Sequence, residues 1–165
     1  MLTLPEIVDR PERHYAYITF TVPMNQMQTP AQEGFPALFA HLGQHGIEPV
    51  GAAFYNYRRI DMTDTLDVEA GVATAHSGPD SEHVRFGTLP AGRYLTAIWH
   101  GHPDRLYDAT AMLIGWAKET GHDFDVEERL DGDHFACRLE IYQSDPVEEP
   151  DMDKWVTALE FKLKD

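Results

Sequence analysis

A chain of 165 residues with 28 acidic against 13 basic side chains has a formal charge of −15. It is long enough for one domain, 1–165, with a substantial core, and its charge is of the wrong sign for direct nucleic-acid binding, which rests on Lys and Arg at phosphates. No apolar run approaches the roughly 18 residues of a membrane helix, and no membrane association is expected. Met1-Leu2-Thr3-Leu4-Pro5-Glu6 lacks the basic region and apolar core of a signal peptide. The single cysteine, Cys137, can form no internal disulfide and points to a reducing, cytoplasmic setting.

The elements follow in order. Residues 13–22 read as a strand closed by Pro23, and 24–34 as a looser segment with turn residues. A helix is expected over 35–45, with Pro36 in its first turn, Phe35, Leu38, Phe39 and Leu42 as a core stripe, and Gly46 as its stop. Strands at 52–60 and 66–73 form a hairpin around a turn at 61–64. The stretch 76–92, rich in Gly, Pro and Ser, reads as a connector with a short strand near 84–89.

The plan then repeats. Residues 93–100 form a strand and 103–120 a helix stopped at Gly121. The helix buries Leu106, Ala109, Thr110, Leu113 and Ala117, flanked by Tyr107, Ile114 and Trp116. Acidic stretches at 123–133 and 145–153 read as solvated loops. Between them lies the strand Cys137-Arg138-Leu139-Glu140-Ile141-Tyr142, ended by Ser144-Asp145-Pro146, and a last strand covers 155–163. Strand–helix–strand–strand therefore occurs twice, with pseudo-repeats at about 13–75 and 90–163.

Alternation along 137–142 puts Cys137, Leu139 and Ile141 on one face and Arg138, Glu140 and Tyr142 on the other. The first set is core, with Cys137 packing rather than reacting. The second is either a solvated face or the lining of a pocket. Superposing the halves sets Tyr55 and Tyr57 at the places of Glu140 and Tyr142. Packing about a pseudo-two-fold axis would bring three tyrosines and a carboxylate into one groove.

These stretches resemble the GyrI-like small-molecule-binding domains, which also serve as effector-binding modules of AraC- and MerR-type regulators. The resemblance is carried by Leu89-Pro90-Ala91-Gly92-Arg93-Tyr94, by Trp99-His100-Gly101-His102-Pro103-Asp104-Arg105-Leu106, by Trp116, and by Glu140-Ile141-Tyr142-Gln143-Ser144-Asp145-Pro146. In the first half Phe54 to Asp61 and Asp67-Val68-Glu69-Ala70-Gly71-Val72 match, so it covers about 13–162. Where the family commonly has Gly followed by Pro-Tyr-Asp, this chain has Gly101-His102-Pro103-Asp104.

The resemblance implies an α+β fold. A duplicated strand–helix–strand–strand unit would form a curved antiparallel sheet with the helices on one side and a central ligand groove. It also implies lipophilic, often cationic, ligands held by a buried Glu and aromatics, here Glu140 and Tyr142. No DNA-binding helices precede the domain, so a stand-alone member is expected.

Glu140, Tyr142, Tyr55 and Tyr57 are the leading ligand-binding candidates, with Trp99, Trp116 and His100 beside them. A surface or Arg138-paired Glu140 is the alternative. Glu69 is expected to be exposed by default, or else to be a second acid in the groove. Trp155 reads as structural. His100-Gly101-His102 lacks the Cys or carboxylate partners of a recognised metal site, and no metal or cofactor is expected.

The function implied is cytoplasmic binding, sequestration or sensing of lipophilic, cationic or planar small molecules. The alternative is a hydrolase of cyclopropane-containing genotoxins with Glu140 as its catalytic base. A third is an interaction protein like the family's namesake, with DNA gyrase or a regulator as partner.

Overall fold

Alternating side chains build most of the strands in the computed structural model, which describes residues 1–165. The first half contains β1 (Glu6–Arg10), β2 (Arg13–Val22), α1 (Phe35–Gln44), β3 (Phe54–Ile60), β4 (Leu66–Ala73) and β5 (Arg85–Leu89). The second contains β6 (Gly92–His100), α2 (Leu106–Glu119), β7 (Val126–Arg129), β8 (Gly132–Phe135), β9 (Arg138–Tyr142) and β10 (Val156–Lys162). One antiparallel sheet runs in the order β1-β6-β10-β9-β3-β4-β2-β5, with the β7–β8 hairpin attached to β3.

The duplicated unit is visible in that order. In β2–α1–β3–β4 the first strand pairs with the last, which pairs with the third, and β6–α2–β9–β10 repeats this. The units join where β3 runs antiparallel to β9, with Phe54 opposite Ile141, Tyr55 opposite Glu140 and Asn56 opposite Leu139. Asn56, fully buried, pins this seam: its side-chain oxygen accepts from the Arg138 amide at 3.1 Å.

Both helices lie on one side of the curved sheet, as the resemblance implies. Leu38 and Leu42 of α1 pack on Ala16, Ile18 and Val72, while Leu106, Ala109, Leu113 and Ala117 of α2 pack on Leu95, Ala97, Leu159 and Phe161. Neither helix covers the seam between β3 and β9, which leaves a groove there. On the far side, Tyr15, Phe54, Leu89, Tyr94, Cys137 and Leu139 form a separate core that the curled sheet encloses. The helices stop at Gly46 and Gly121, whose φ of +63° and +75° suits glycine.

Some elements differ from expectation. The loose segment 24–34 contains a 3₁₀ turn, Met24–Gln26, and a π-helical turn, Pro30–Gly34, that leads straight into α1. Gly34 is needed there because a Cβ would sit 2.8 Å from the Phe20 ring and 2.9 Å from Ala70. The acidic loop at 123–133 includes β7 and the start of β8. These strands bury little, so backbone pairing rather than apolar alternation defines them. Edge strand β1 was likewise unmarked by any apolar pattern. Phe39, assigned to the α1 stripe, is exposed, as are the Tyr107 and Ile114 flanks of α2. No helix is long and apolar enough to cross a membrane.

Candidate functional site

The uncovered seam opens into a cavity of about 980 Å³ between the helices. β3 supplies Tyr55 and Tyr57 to it, and β9 supplies Arg138, Glu140 and Tyr142, because residues of equal parity on a strand share a face. The walls come from α1, through Phe35, and from the outward flank of α2, through Tyr107, Thr110, Ala111 and Ile114. Met24, Met27 and Met62 add soft apolar surface. This explains why Tyr107, Met62 and Ile114 are exposed although large and apolar: they line the open groove.

Glu140 lies on the floor, 9% exposed, and accepts a short hydrogen bond from the Tyr142 hydroxyl. Burial pushes its carboxyl above the ordinary carboxylate range. Hydrogen bonding from Tyr142 and Tyr57, and the charge of Arg138, oppose that shift without cancelling it. The same burial, with the Glu140 charge beside them, pushes the Tyr57 and Tyr142 hydroxyls well above their ordinary value, so both remain proton donors.

Tyr55 is occupied differently. Its hydroxyl donates to the Met27 carbonyl at 2.6 Å and accepts from the Ala31 amide at 2.8 Å, tethering the irregular segment before α1 to the groove. Its ring meets Tyr142 edge-on at 5.2 Å and Tyr57 at 6.1 Å, and Phe35 sits 5.9 Å away. The result is an aromatic wall whose faces are available to a ligand.

Arg138 forms no ion pair with Glu140, contrary to the surface alternative. Its guanidinium carbon lies 4.8 Å from the ring centroids of Phe135 and Phe161 and 5.6 Å from that of Tyr57. Burial lowers its affinity for the proton, although it stays charged.

Trp99, Trp116 and His100 are not on the cavity lining. Trp99 packs beside the α2 core and donates to the His102 carbonyl at 3.1 Å. Trp116 also packs against that core, stacked on His122 at 5.8 Å. Trp99 shares the β6 face of Leu95 and Ala97 and so meets the buried stripe of α2, and Trp116 on α2 lies against the same core, so neither reaches the groove. His100 is exposed at the end of β6, where its amide donates to the Met1 carbonyl.

Glu69 faces away from the apolar set of β4, as alternation requires, but it is 5% exposed and lies on the far side of the sheet from the cavity. The Tyr15 hydroxyl donates to it at 2.6 Å and the Asn56 amide at 3.1 Å, and Arg58 approaches to 3.6 Å. Glu69 is therefore not a second acid of the groove. No three His, Cys, Asp or Glu side chains are placed to hold a metal ion.

Sequence reasoning missed Phe35, Trp155, Phe135 and Arg138. Trp155 precedes β10 and turns into the cavity, anchored by its indole N–H on the Glu149 carbonyl at 2.7 Å. For Arg138 the signal was present, since alternation already set it on the Glu140 face. For Phe35 it was obscured, because a helical stripe reads as core wherever its neighbour leaves a gap.

Among curated protein sequences nothing matches the chain. Solved structures do. The EcmrR C-terminal domain matches at a TM-score of 0.78 and 20% identity, over 98% of this chain and 97% of that one. In the EcmrR–DNA complex the match is 0.79, again at 20% identity over 98% of this chain, which spans only 57% of the EcmrR chain there. SAV2435 bound to tetraphenylphosphonium matches at 0.61 with 11% identity, over 98% and 94% of the two chains. A hydrolase from Listeria innocua matches at 0.62 with 13% identity, over 97% and 91%. At such identities these neighbours establish the fold. The model of the GyrI-like small molecule binding domain matches residues 4–158, nearly the whole sequence, and the chain belongs to that family.

Proposed function

We propose that the protein is a cytoplasmic binder of lipophilic, cationic or planar small molecules, which it sequesters or senses. The observation that carries this is Glu140: a buried carboxylate on the floor of a large aromatic cavity. Desolvation makes an unpaired carboxylate costly there, and a ligand cation supplies the compensating charge. The rings of Tyr57, Tyr142 and Phe35 offer faces to the same cation. Support comes also from a neighbour of the same fold that was solved with tetraphenylphosphonium. Calorimetric titration of tetraphenylphosphonium and of a neutral isostere tests the reading. The cation should bind at micromolar concentration and the isostere more weakly; no saturable binding across a panel of lipophilic cations would sink it.

A second reading is hydrolysis, favoured by the same carboxyl, which burial makes more basic than an ordinary carboxylate and so a stronger general base. Glu140 would take a proton from water as the water oxygen attacks the electrophilic carbon of an activated cyclopropane. The ring C–C bond breaks, and its electron pair moves onto the conjugated oxygen, protonated by Tyr142 or Tyr57. Incubation with a cyclopropane-bearing alkylating agent in oxygen-18 water separates the readings. Multiple turnovers with one labelled oxygen, lost in Glu140→Gln, would establish a hydrolase, whereas recovery of unchanged compound leaves the binder.

A further inference from the structure

Arg138 is the only basic residue on the cavity lining, and a site for simple cations has no use for it. Arg10, Arg58, Arg59, Arg105 and Arg129 each pair with a carboxylate; Arg13, Arg85 and Arg93 do not, but none of these lines the cavity. Arg138 has no such partner and donates no side-chain hydrogen bond, and its Nε is sealed from solvent without an acceptor. Three rings surround it, those of Phe135, Phe161 and Tyr57. Ring faces steady a cation but cannot accept its N–H groups in the plane of the guanidinium, where its strongest hydrogen bonds form. A buried donor left unpaired is unfavourable; the terminal N–H groups of the same guanidinium also lack acceptors but are not sealed, and the side chain lines the cavity, so these are the donors a ligand reaches.

Resting on the reading of this cavity as the ligand site, we infer that Arg138 receives an oxyanion of the ligand. The site then selects bipolar molecules that carry a cationic group toward Glu140 and a carboxylate or comparable oxyanion toward Arg138. Arg138 and Glu140 are two residues apart on one face of β9, their backbone positions roughly 6.6 Å apart along the strand, so one ligand can meet both charges. The floor thus reads a dipole. A ligand with only the positive end satisfies Glu140 while leaving Arg138 repelling it.

Three matched probes test this by calorimetry at one salt concentration. They are 4-phenylbenzyl-trimethylammonium, the betaine in which one N-methyl is replaced by a carboxypropyl arm, and the methyl ester of that betaine. The wild-type protein should bind the betaine at least tenfold more tightly than the other two. Arg138→Met, which keeps an unbranched apolar stem among the rings, should abolish that preference and improve binding of the monocation. Arg138→Lys, which keeps the charge and loses the planar fork, should retain part of the preference. The wild-type comparison stands even if Arg138→Met fails to fold. Betaine and ester binding equally while the monocation binds saturably would overturn the inference and leave the small-molecule reading intact. Failure of all three to bind would remove both.

Discussion

Tyr55 and Glu140 face each other across the seam between β3 and β9 and occupy equivalent places in the two halves of the fold. An antiparallel seam between repeated units has one position that meets its own counterpart, and this chain puts a phenol on one side and a carboxylate on the other. The duplication builds the groove, while the substitution at its centre gives the groove a direction. Tyr55 turns its hydroxyl to Met27 and Ala31, and Glu140 is held by Tyr142.

Tyr55→Phe should loosen the segment before α1 while keeping the aromatic wall. It leaves the Ala31 amide and the Met27 carbonyl without their partner, a loss of about 1–3 kcal/mol. Hydrogen exchange of the amides at 27–34 should accelerate relative to the wild type, while those of β3 and β4 stay protected. Unchanged exchange at 27–34 would show that Tyr55 is no tether.

The raised carboxyl of Glu140 makes unliganded stability depend on pH. Below the ordinary carboxylate range Glu140 is protonated whether folded or unfolded and makes no difference. As pH rises from there toward the higher folded value, the unfolded chain gives up a proton that the folded chain keeps, so stability falls. Glu140→Gln removes this contribution. Its melting temperature relative to the wild type should therefore climb between pH 4 and pH 8 in the absence of ligand. A difference that stays flat, or moves the other way, would mean that the folded state does not disfavour the Glu140 charge.

Much of the fold was legible in the sequence because burial and period agree along β2, β4, β6, β9 and α2. The hairpin β7–β8 and the edge strand β1 were not, since backbone pairing holds them and little apolar surface is buried. The floor of the groove was legible from parity alone, through Tyr55, Tyr57, Glu140 and Tyr142. Its walls were not. Trp99 and Trp116 belong to the α2 core, whereas Phe35 and Trp155 reach the cavity, and which aromatic faces a gap depends on how the helices sit over the seam. Glu69 shows the same limit: alternation gives its side of the strand, but the curl of the sheet decides that this side is closed.

Cys137 should be inert in the native protein. Burial pushes its thiol up to about 11, so it stays protonated at pH 8. A disulfide reagent should label it only after denaturant is added. Rapid native labelling would show that the core enclosed by the curled sheet opens readily.

Trp155 reports directly on whether the Glu140 carboxylate anchors a ligand in this cavity. Of the three tryptophans, only Trp155 lines the cavity. An aromatic monocation titrated into the protein should quench its fluorescence saturably at micromolar concentration, and Trp155→Phe should remove the quench. Glu140→Gln keeps the shape and removes the charge, so affinity should fall by roughly 2–5 kcal/mol, at least about thirtyfold. Equal quenching affinity in the wild type and Glu140→Gln would take Glu140 out of the site.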